Sequence, residues 1–395
     1  MVMKRLCLIV VVASLLTASA SCAGQHDAGG VAGHSATPAA SRGRAAQPSL
    51  PPSCSNATVL GTWSLERRAA QLVAAPAEED DVLAARPLVA EGAGAIILFG
   101  AYAPPALPAA LATLRRSAAG GLPPLVMTDE EGGEIQRIAN LVGSLPWPRT
   151  MAATMTVAQV RALAEQVGHR MSAVGVTMDL APVLDLSDSP GPDAANPDGP
   201  RSFSVKPSVA AAYGIAFAEG LQDGGVIPVV KHFPGLGQAS YNTDDGPAFD
   251  PPLPVLKAGS LRPFEAAIAA QLPAVMVSDV SIPGLTGTLP AALSASAITG
   301  LLRHQLGFKG LVLTDSLSAL AVQDAGYSVP RAAARAIEAG ADMVLFNTSD
   351  PQTTMNDVVA RIASAVTSRQ LSVDRLDDAV QHVLTAKGVS LCPQP

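Results

Sequence analysis

The sequence has few aromatic and few charged residues. Phe, Trp and Tyr make up 4% of the 395 residues, and Asp, Glu, Lys and Arg make up 15%. So few aromatic rings argue against an extended stacking platform for a long polymer. The net charge of −7 argues against nucleic acid as a partner, because phosphate binding needs a basic surface. The hydrophobic content of 48% indicates a globular protein with a well-buried core.

Several common catalytic signatures are missing as well. The chain has no H-E-x-x-H or C-x-x-C metal spacing, no G-x-S-x-G elbow, no P-loop and no G-x-G-x-x-G fingerprint. A metalloenzyme, a serine hydrolase, a kinase or a dehydrogenase would therefore lack its usual mark.

The N-terminus is typical of a targeting segment. Two basic residues precede an apolar run at residues 6–16, which is too short for a comfortable membrane span and predicts a signal peptide over residues 1–21. The following S-A-S-C sequence resembles a lipobox, in which Cys22 becomes the lipidated N-terminus. Ordinary cleavage after Ala20 is the alternative. In both cases the mature protein lies outside the cytoplasm, as a membrane lipoprotein or as a secreted protein.

The segment at residues 22–56 is rich in Ala, Gly, Ser and Pro. Such a composition cannot bury enough apolar surface to fold, so it predicts a flexible tether ahead of a folded domain at 57–395. Two of the four cysteines, Cys54 and Cys392, lie at the two ends of the folded region. In an exported protein this pair indicates a disulfide; two free thiols are the alternative.

Eight apolar runs alternate with helical patterns along the folded part. The predicted strands are residues 71–75, 95–99, 125–128, 176–180, 226–230, 274–277, 311–314 and 342–346. Continuous apolar runs are typical of parallel strands that are buried on both faces. Helices are predicted at 157–174, 209–221, 295–306, 331–338 and 373–387, the first with a capping box. The pattern predicts an α/β fold with a single-domain (β/α)8 TIM-type barrel, with a doubly wound open sheet as the alternative.

Polar residues follow most of these strands directly. They are Asp129-Glu130-Glu131, Asp185, Lys231-His232, Ser278-Asp279, Asp315-Ser316 and Asn347. Barrel enzymes build their active sites at the carboxyl ends of the strands, so this distribution favours the barrel.

Three strand-end motifs carry the candidate chemistry. The D-E-E-G-G motif at residues 129–133 is a solvated acidic loop or a ligand site, where the glycines allow close backbone approach. Lys231 and His232 are costly to bury without a partner, so contact with a ligand is the better interpretation. Asp315 ends an apolar strand and is either a nucleophile on a rigid element or a helix N-cap.

Together the motifs resemble glycoside hydrolase family 3, in its single-domain β-N-acetylglucosaminidase branch. The motifs occur in order over residues 60–390: D-E-E-G-G-x-x-x-R, A-P-V-L-D, R-S-F, K-H-F-P-G and T-D-S-L. The resemblance implies a retaining reaction on a small N-acetylglucosamine-containing carbohydrate, such as a cell-wall fragment, with no metal and no organic cofactor. We also expect a monomer.

The resemblance implies roles for individual residues. Asp315 matches the nucleophile, and the residues that match the sugar-binding set are Asp129, Arg137, Arg201, Lys231 and His232. Lys231, if it lies near Asp315, would keep the nucleophile ionised.

The loop that supplies the proton in this branch departs from the family pattern. An Asp-x-His dyad is replaced by Asn242-Thr243-Asp244, the second histidine of the K-H-F-P-G-H motif by Leu236, and the residue after the nucleophile is Ser316. Asp244, or the adjacent Asp245, could be the acid/base, since most retaining glycosidases use two carboxyl groups. The alternatives are a non-catalytic amino-sugar-binding lipoprotein and a family 3 glycosidase of other specificity.

Overall fold

The structure, a computed structural model, describes residues 55–193 and 196–392. The predicted signal peptide, most of the tether, Cys22 and Cys54 lie outside these ranges. Among the described residues, no helix has the length and apolar character needed to cross a bilayer.

Eight parallel strands form the core of the fold. They are β1 (Val73–Glu78), β2 (Ala95–Phe99), β3 (Leu125–Thr128), β6 (Met178–Asp179), β7 (Ile227–Phe233), β8 (Ala274–Val277), β9 (Leu311–Ser316) and β10 (Met343–Leu345). They close into a barrel in the order β1-β10-β9-β8-β7-β6-β3-β2. Because β1 pairs with both β2 and β10, the sheet has no free edge, which confirms the barrel and excludes the open sheet. Each strand overlaps one predicted apolar run. A short hairpin of β4 (Glu130–Gly132) and β5 (Ile135–Gln136) follows β3.

Helices follow the strands around the barrel. The α-helices are α1 (Asn56–Leu60), α2 (Leu65–Ala70), α3 (Arg86–Ala90), α4 (Leu107–Arg116), α5 (Ala139–Val142), α6 (Pro148–Thr154), α7 (Val157–Val174), α8 (Pro207–Asp223), α9 (Leu253–Ala258), α10 (Arg262–Ala269), α11 (Leu320–Asp324), α12 (Val329–Ala339), α13 (Pro351–Thr367) and α14 (Val373–Ala386). The predicted capping box at Thr156 and Gln159 opens α7, as expected. The helix predicted at 295–306 forms a wider π-helix, Ser296–Gln305.

The register of the barrel strands aligns the polar strand ends. Val277 of β8 pairs with Thr314 of β9, so Asp279 and Asp315 emerge from neighbouring strands at the same end of the barrel. The hairpin β4–β5 and Lys231-His232 of β7 emerge at this end too. The apolar strand interiors therefore hold the fold together while the ends present charged side chains to one another.

Candidate active site

A cavity of about 450 Å³ lies at the carboxyl ends of the barrel strands, a size typical of small-molecule sites. Its lining includes every residue that the sequence predicts for catalysis or sugar binding: Asp129, Arg137, Arg201, Lys231, His232, Asp244 and Asp315. Since these residues come from segments far apart in the chain, the barrel brings them together as expected.

Buried ion pairs form one wall of the cavity. Lys231 Nζ lies 2.6 Å from Asp129 Oδ1 and 2.6 Å from Glu131 Oε1. Arg201 forms a bidentate pair with Glu131, with Nε 2.7 Å from Oε2 and Nη2 2.8 Å from Oε1. Burial alone would raise the pKa of Glu131, but the charges of Arg201 and Lys231 outweigh it and hold that pKa well below its usual range. The wall is therefore a fixed array of charged groups that can donate hydrogen bonds to sugar hydroxyls and accept hydrogen bonds from them.

Lys231 is paired within this wall. Its ion-pair partners among the described residues are Asp129 and Glu131, not Asp315. Burial would lower the pKa of Lys231, but these two carboxylates raise it above its ordinary value. Lys231 therefore stays charged and orders the wall, and its expected effect on the ionisation of Asp315 stays a prediction.

The neighbouring acidic residues of the D-E-E motif have different roles. Glu130 is fully buried and accepts hydrogen bonds from the backbone N–H groups of Arg137 and Ile138 and from the Gln136 amide, so it holds the β4–β5 hairpin. Burial raises the pKa of Glu130 to about 7 despite these bonds. Strand alternation separates it from Glu131, which faces the cavity, so the motif is not a solvated acidic loop.

The glycines of this motif serve packing within the chain. Gly132 and Gly133 have φ of +113° and +61°. A Cβ on Gly133 would lie 2.0 Å from the Trp147 ring, and one on Gly132 would lie 2.3 Å from the Pro146 carbonyl oxygen. These positions therefore require glycine because the chain itself approaches closely there.

His232 is held in one orientation by Asp185. Its Nδ1 lies 2.6 Å from Asp185 Oδ2, while the backbone N–H of Leu236 donates to Asp185 Oδ1 at 2.7 Å. Burial, together with the charges of Arg201 and Lys231, lowers the pKa of His232 to about 4. The imidazole is therefore neutral, with Nδ1 protonated toward the carboxylate and Nε2 left as an acceptor in the cavity wall.

Asp315 lies within β9 near its end and lines the cavity. Its Oδ1 accepts a hydrogen bond from the Ser316 N–H at 2.8 Å. The side chain is held on a rigid strand and not at a helix N-cap, which favours the nucleophile over the N-cap interpretation.

Asp244 lies on a tight turn at the rim of the cavity. The Asn242 side chain accepts the Asp244 backbone N–H at 3.1 Å, and the carbonyl of Thr243 accepts the Ala321 N–H at 3.0 Å. The loop is thus docked on α11, directly after the nucleophile strand. Partial burial, followed by the neighbouring charge of Asp245, raises the pKa of Asp244 above its ordinary value, although the residue as a whole remains exposed.

Asp279 is a further acidic group that the sequence placed at a strand end but not in the site. It is 1% exposed, and neither carboxyl oxygen has a hydrogen-bond partner among the described residues. Burial, and then the charges of Asp315 and Asp244, raise its pKa well above the ordinary value. The sequence shows Asp279 as an aspartate that follows an apolar strand. Its proximity to Asp315 and Asp244 depends on the register of the strands and could not be predicted from that pattern.

Comparison with known proteins identifies the family. The family described as Glycosyl hydrolase family 3 N terminal domain matches residues 64–386. The chain belongs to glycoside hydrolase family 3. It is 39% identical over 275 residues to the Beta-hexosaminidase LpqI of Mycobacterium tuberculosis, covering 68% of this chain and 69% of that protein.

Solved structures agree with this assignment. A family 3 glycosyl hydrolase from Mycobacterium smegmatis superposes with a TM-score of 0.76 at 36% identity, covering 84% of this chain and 99% of that one. A beta-N-acetylhexosaminidase from Beutenbergia cavernae gives a TM-score of 0.75 at 33% identity, covering 83% and 99%. The protein is therefore a glycoside hydrolase with the family's barrel.

Proposed function

We propose that this family 3 hydrolase is a retaining β-N-acetylglucosaminidase in which Asp315 is the nucleophile and Asp244 the acid/base. The observation that carries the proposal is that both carboxyl groups line one cavity with the Lys231–Asp129–Glu131–Arg201 wall. The hexosaminidase names of its relatives support the amino-sugar class.

The two carboxyl groups divide the reaction between them. Asp315 attacks the anomeric carbon while Asp244 gives its proton to the departing glycosidic oxygen, which leaves a glycosyl ester on Asp315. Water then attacks the same carbon, Asp244 takes a proton from that water, and the ester bond to Asp315 breaks. The raised pKa of Asp244 supports its role in the first step, because a general acid must hold its proton near the working pH.

The wall is suited to hold the sugar during both steps. Lys231 and Arg201 are already fixed by Glu131, so they need no reorganisation when a ligand enters. The neutral His232 presents an acceptor for a sugar hydroxyl. Lys231 and Arg201 each already have a carboxylate partner. A sugar can therefore bind without breaking an ion pair.

Hydrolysis of an aryl β-N-acetylglucosaminide by wild type, Asp315→Ala and Asp244→Ala tests the proposal. We expect both variants to lose activity, with Asp315→Ala at background. If the wild type is no faster than Asp315→Ala, the hydrolase proposal fails and the non-catalytic amino-sugar-binding protein is the remaining alternative. A faster rate on the matching glucoside would indicate a family 3 enzyme of other specificity.

Export and anchoring are further proposals that rest on the sequence. The signal peptide, lipidated Cys22 and tether would place the barrel outside the cytoplasm, where short cell-wall fragments are available. The proposed Cys54–Cys392 disulfide is supported by the meeting of the chain ends, since the Leu391 N–H donates to Asn56 Oδ1 at 2.8 Å.

A further inference from the structure

A groove continues from the sugar cavity along the mouth of the barrel. It has a volume of about 680 Å³ and is lined by residues between 318 and 331, which follow β9, and between 347 and 357, which follow β10. Ser318 and Asn347 line both the groove and the cavity. The two spaces therefore meet at these two residues.

Hydrogen bonds fix the junction between the two spaces. The Ser318 hydroxyl donates to the Asn347 carbonyl, and the Asn347 backbone N–H donates to Ser318 Oγ at 3.0 Å. The Gln323 amide donates to the Ser318 carbonyl at 2.7 Å. Because the bonds to Asn347 use its backbone, its side-chain amide remains available to a ligand.

Both proposed reacting carboxyl groups lie next to this junction. Asp315 precedes Ser318 by three residues, and the Leu320 N–H of α11 donates to the Asp244 carbonyl at 3.3 Å. The chain runs from α11 directly into the segment that lines the groove. A general acid must lie within hydrogen-bond reach of the oxygen that it protonates. A leaving group that receives its proton from Asp244 therefore starts beside the groove.

The polar side chains of the groove are mostly uncharged. They include Gln323, Ser328, Thr348 and Thr354, whereas Arg331 and Asp357 are the charged members. Arg331 donates to the Gly326 carbonyl at 3.3 Å and lies over the Tyr327 ring, 5.6 Å from its centroid; no carboxylate of the described ranges pairs with it. Hydroxyls, amides and a guanidinium without a carboxylate partner are suited to hydrogen-bond a sugar.

We propose that this groove binds the leaving sugar, so that the enzyme cleaves the bond between two sugar residues and holds the second one with Arg331. The inference rests on the proposed reaction at Asp315 and deepens it. The wall residues Lys231, Glu131 and Arg201 line the cavity and not the groove, so the two sugars have separate sites. The sequence did not predict the groove because its lining comes from loops and helix ends without a motif.

Two substrates test the groove: the β-1,4-linked disaccharide of N-acetylglucosamine, and an aryl β-N-acetylglucosaminide, whose leaving group has no sugar hydroxyls. Arg331→Gln should lower kcat/KM about fivefold or more for the disaccharide, because hydrogen bonds from a charged group are lost, and less than about twofold for the aryl substrate. Ser328→Trp places a large ring in the groove and should have the same selective effect. Ser328 makes no capping bond in α12, so this helix does not depend on its side chain.

Arg335→Gln is the matched control. Arg335 lies one turn further along α12, pairs with Glu338 at 3.1 Å and does not line the groove, so both substrates should react as in wild type. Melting curves show that each variant is folded. The groove is refuted if Arg331→Gln and Ser328→Trp leave disaccharide cleavage unchanged or slow both substrates equally, or if Arg335→Gln matches Arg331→Gln. Aryl hydrolysis that depends on Asp315 would still support the proposed reaction.

Binding without turnover separates the groove from the reaction. By calorimetry, Asp315→Ala protein should bind the disaccharide about tenfold more tightly than N-acetylglucosamine, a difference that one or two added charge-assisted hydrogen bonds can supply. Adding Arg331→Gln should remove most of this difference. Equal affinity for the two sugars would refute the groove even if the wild type is active. A preserved difference in a protein whose wild type is inactive would refute the hydrolysis and support the groove.

Discussion

The role of Asp244 makes a sharp prediction about leaving groups. Asp244→Asn removes the proton donor but keeps the turn, because the contacts of residue 244 to Asn242 and Leu320 use its backbone N–H and carbonyl. General acid catalysis contributes about 10²–10⁴ in rate, or roughly 3–5 kcal/mol of barrier. Since Asp244 lies at an exposed rim, we expect the lower part of this range, about 10²–10³, for a sugar leaving group.

The assay compares substrates that need the proton with substrates that do not. A dinitrophenolate departs without protonation, so its first step should slow less than about tenfold in Asp244→Asn. Azide attacks the glycosyl ester without a general base, so it should restore turnover to this variant. The basic limb of the pH profile, where wild type loses activity as Asp244 deprotonates, should disappear.

The neighbouring carboxylate is the control. Asp245→Asn removes an equal charge one residue away and should keep both the rate and the pH profile, apart from a slight shift in the basic limb. An equal loss for all leaving groups in Asp244→Asn, or a larger effect of Asp245→Asn, would refute Asp244 as the acid/base.

Three other changes test the surrounding structure. Glu131→Gln breaks a buried bidentate pair and should lower the free energy of unfolding by about 3–5 kcal/mol in urea, whereas Glu134→Gln, on the exposed side of the hairpin, should change it little. The pKa of Asp198 rises from 3.8 to about 7 on folding, so its contribution to stability falls as pH rises through that interval, by up to about 4 kcal/mol. Asp198→Asn should therefore flatten the decline in melting temperature between about pH 4 and pH 7; an unchanged decline would contradict the assignment. Thiol titration of the denatured mature protein should find the Cys54 and Cys392 thiols only after reduction.

The sequence predicts the barrel because its eight strands are continuous apolar runs, a pattern that depends on local composition and burial on both faces. Two residues of the proposed site, Lys231 and Asp315, follow from the same pattern, since each stands where an apolar run ends. The partners of these residues could not be predicted in the same way. Whether Lys231 pairs with Asp315 or with Glu131 depends on the positions of separate strand ends around the barrel.

The loops account for the other features of the site that the sequence did not predict. Glu130 and Glu131 are adjacent in the sequence, yet the hairpin turns one inward and the other toward the cavity. Asp198 and Asp250 belong to loops without regular periodicity, so no pattern indicated that they would be buried near Asp185. The sequence does identify the altered proton-donor loop, because Asn242 and Asp244 replace named positions of a family motif.

The most direct test of the account is capture of the covalent intermediate. A slow fluorinated N-acetylglucosaminyl donor with a good leaving group should add one sugar mass to wild type, and peptide mapping should place the sugar on Asp315. Modification of another carboxylate, or turnover with unmodified Asp315 throughout, would contradict the proposed reaction.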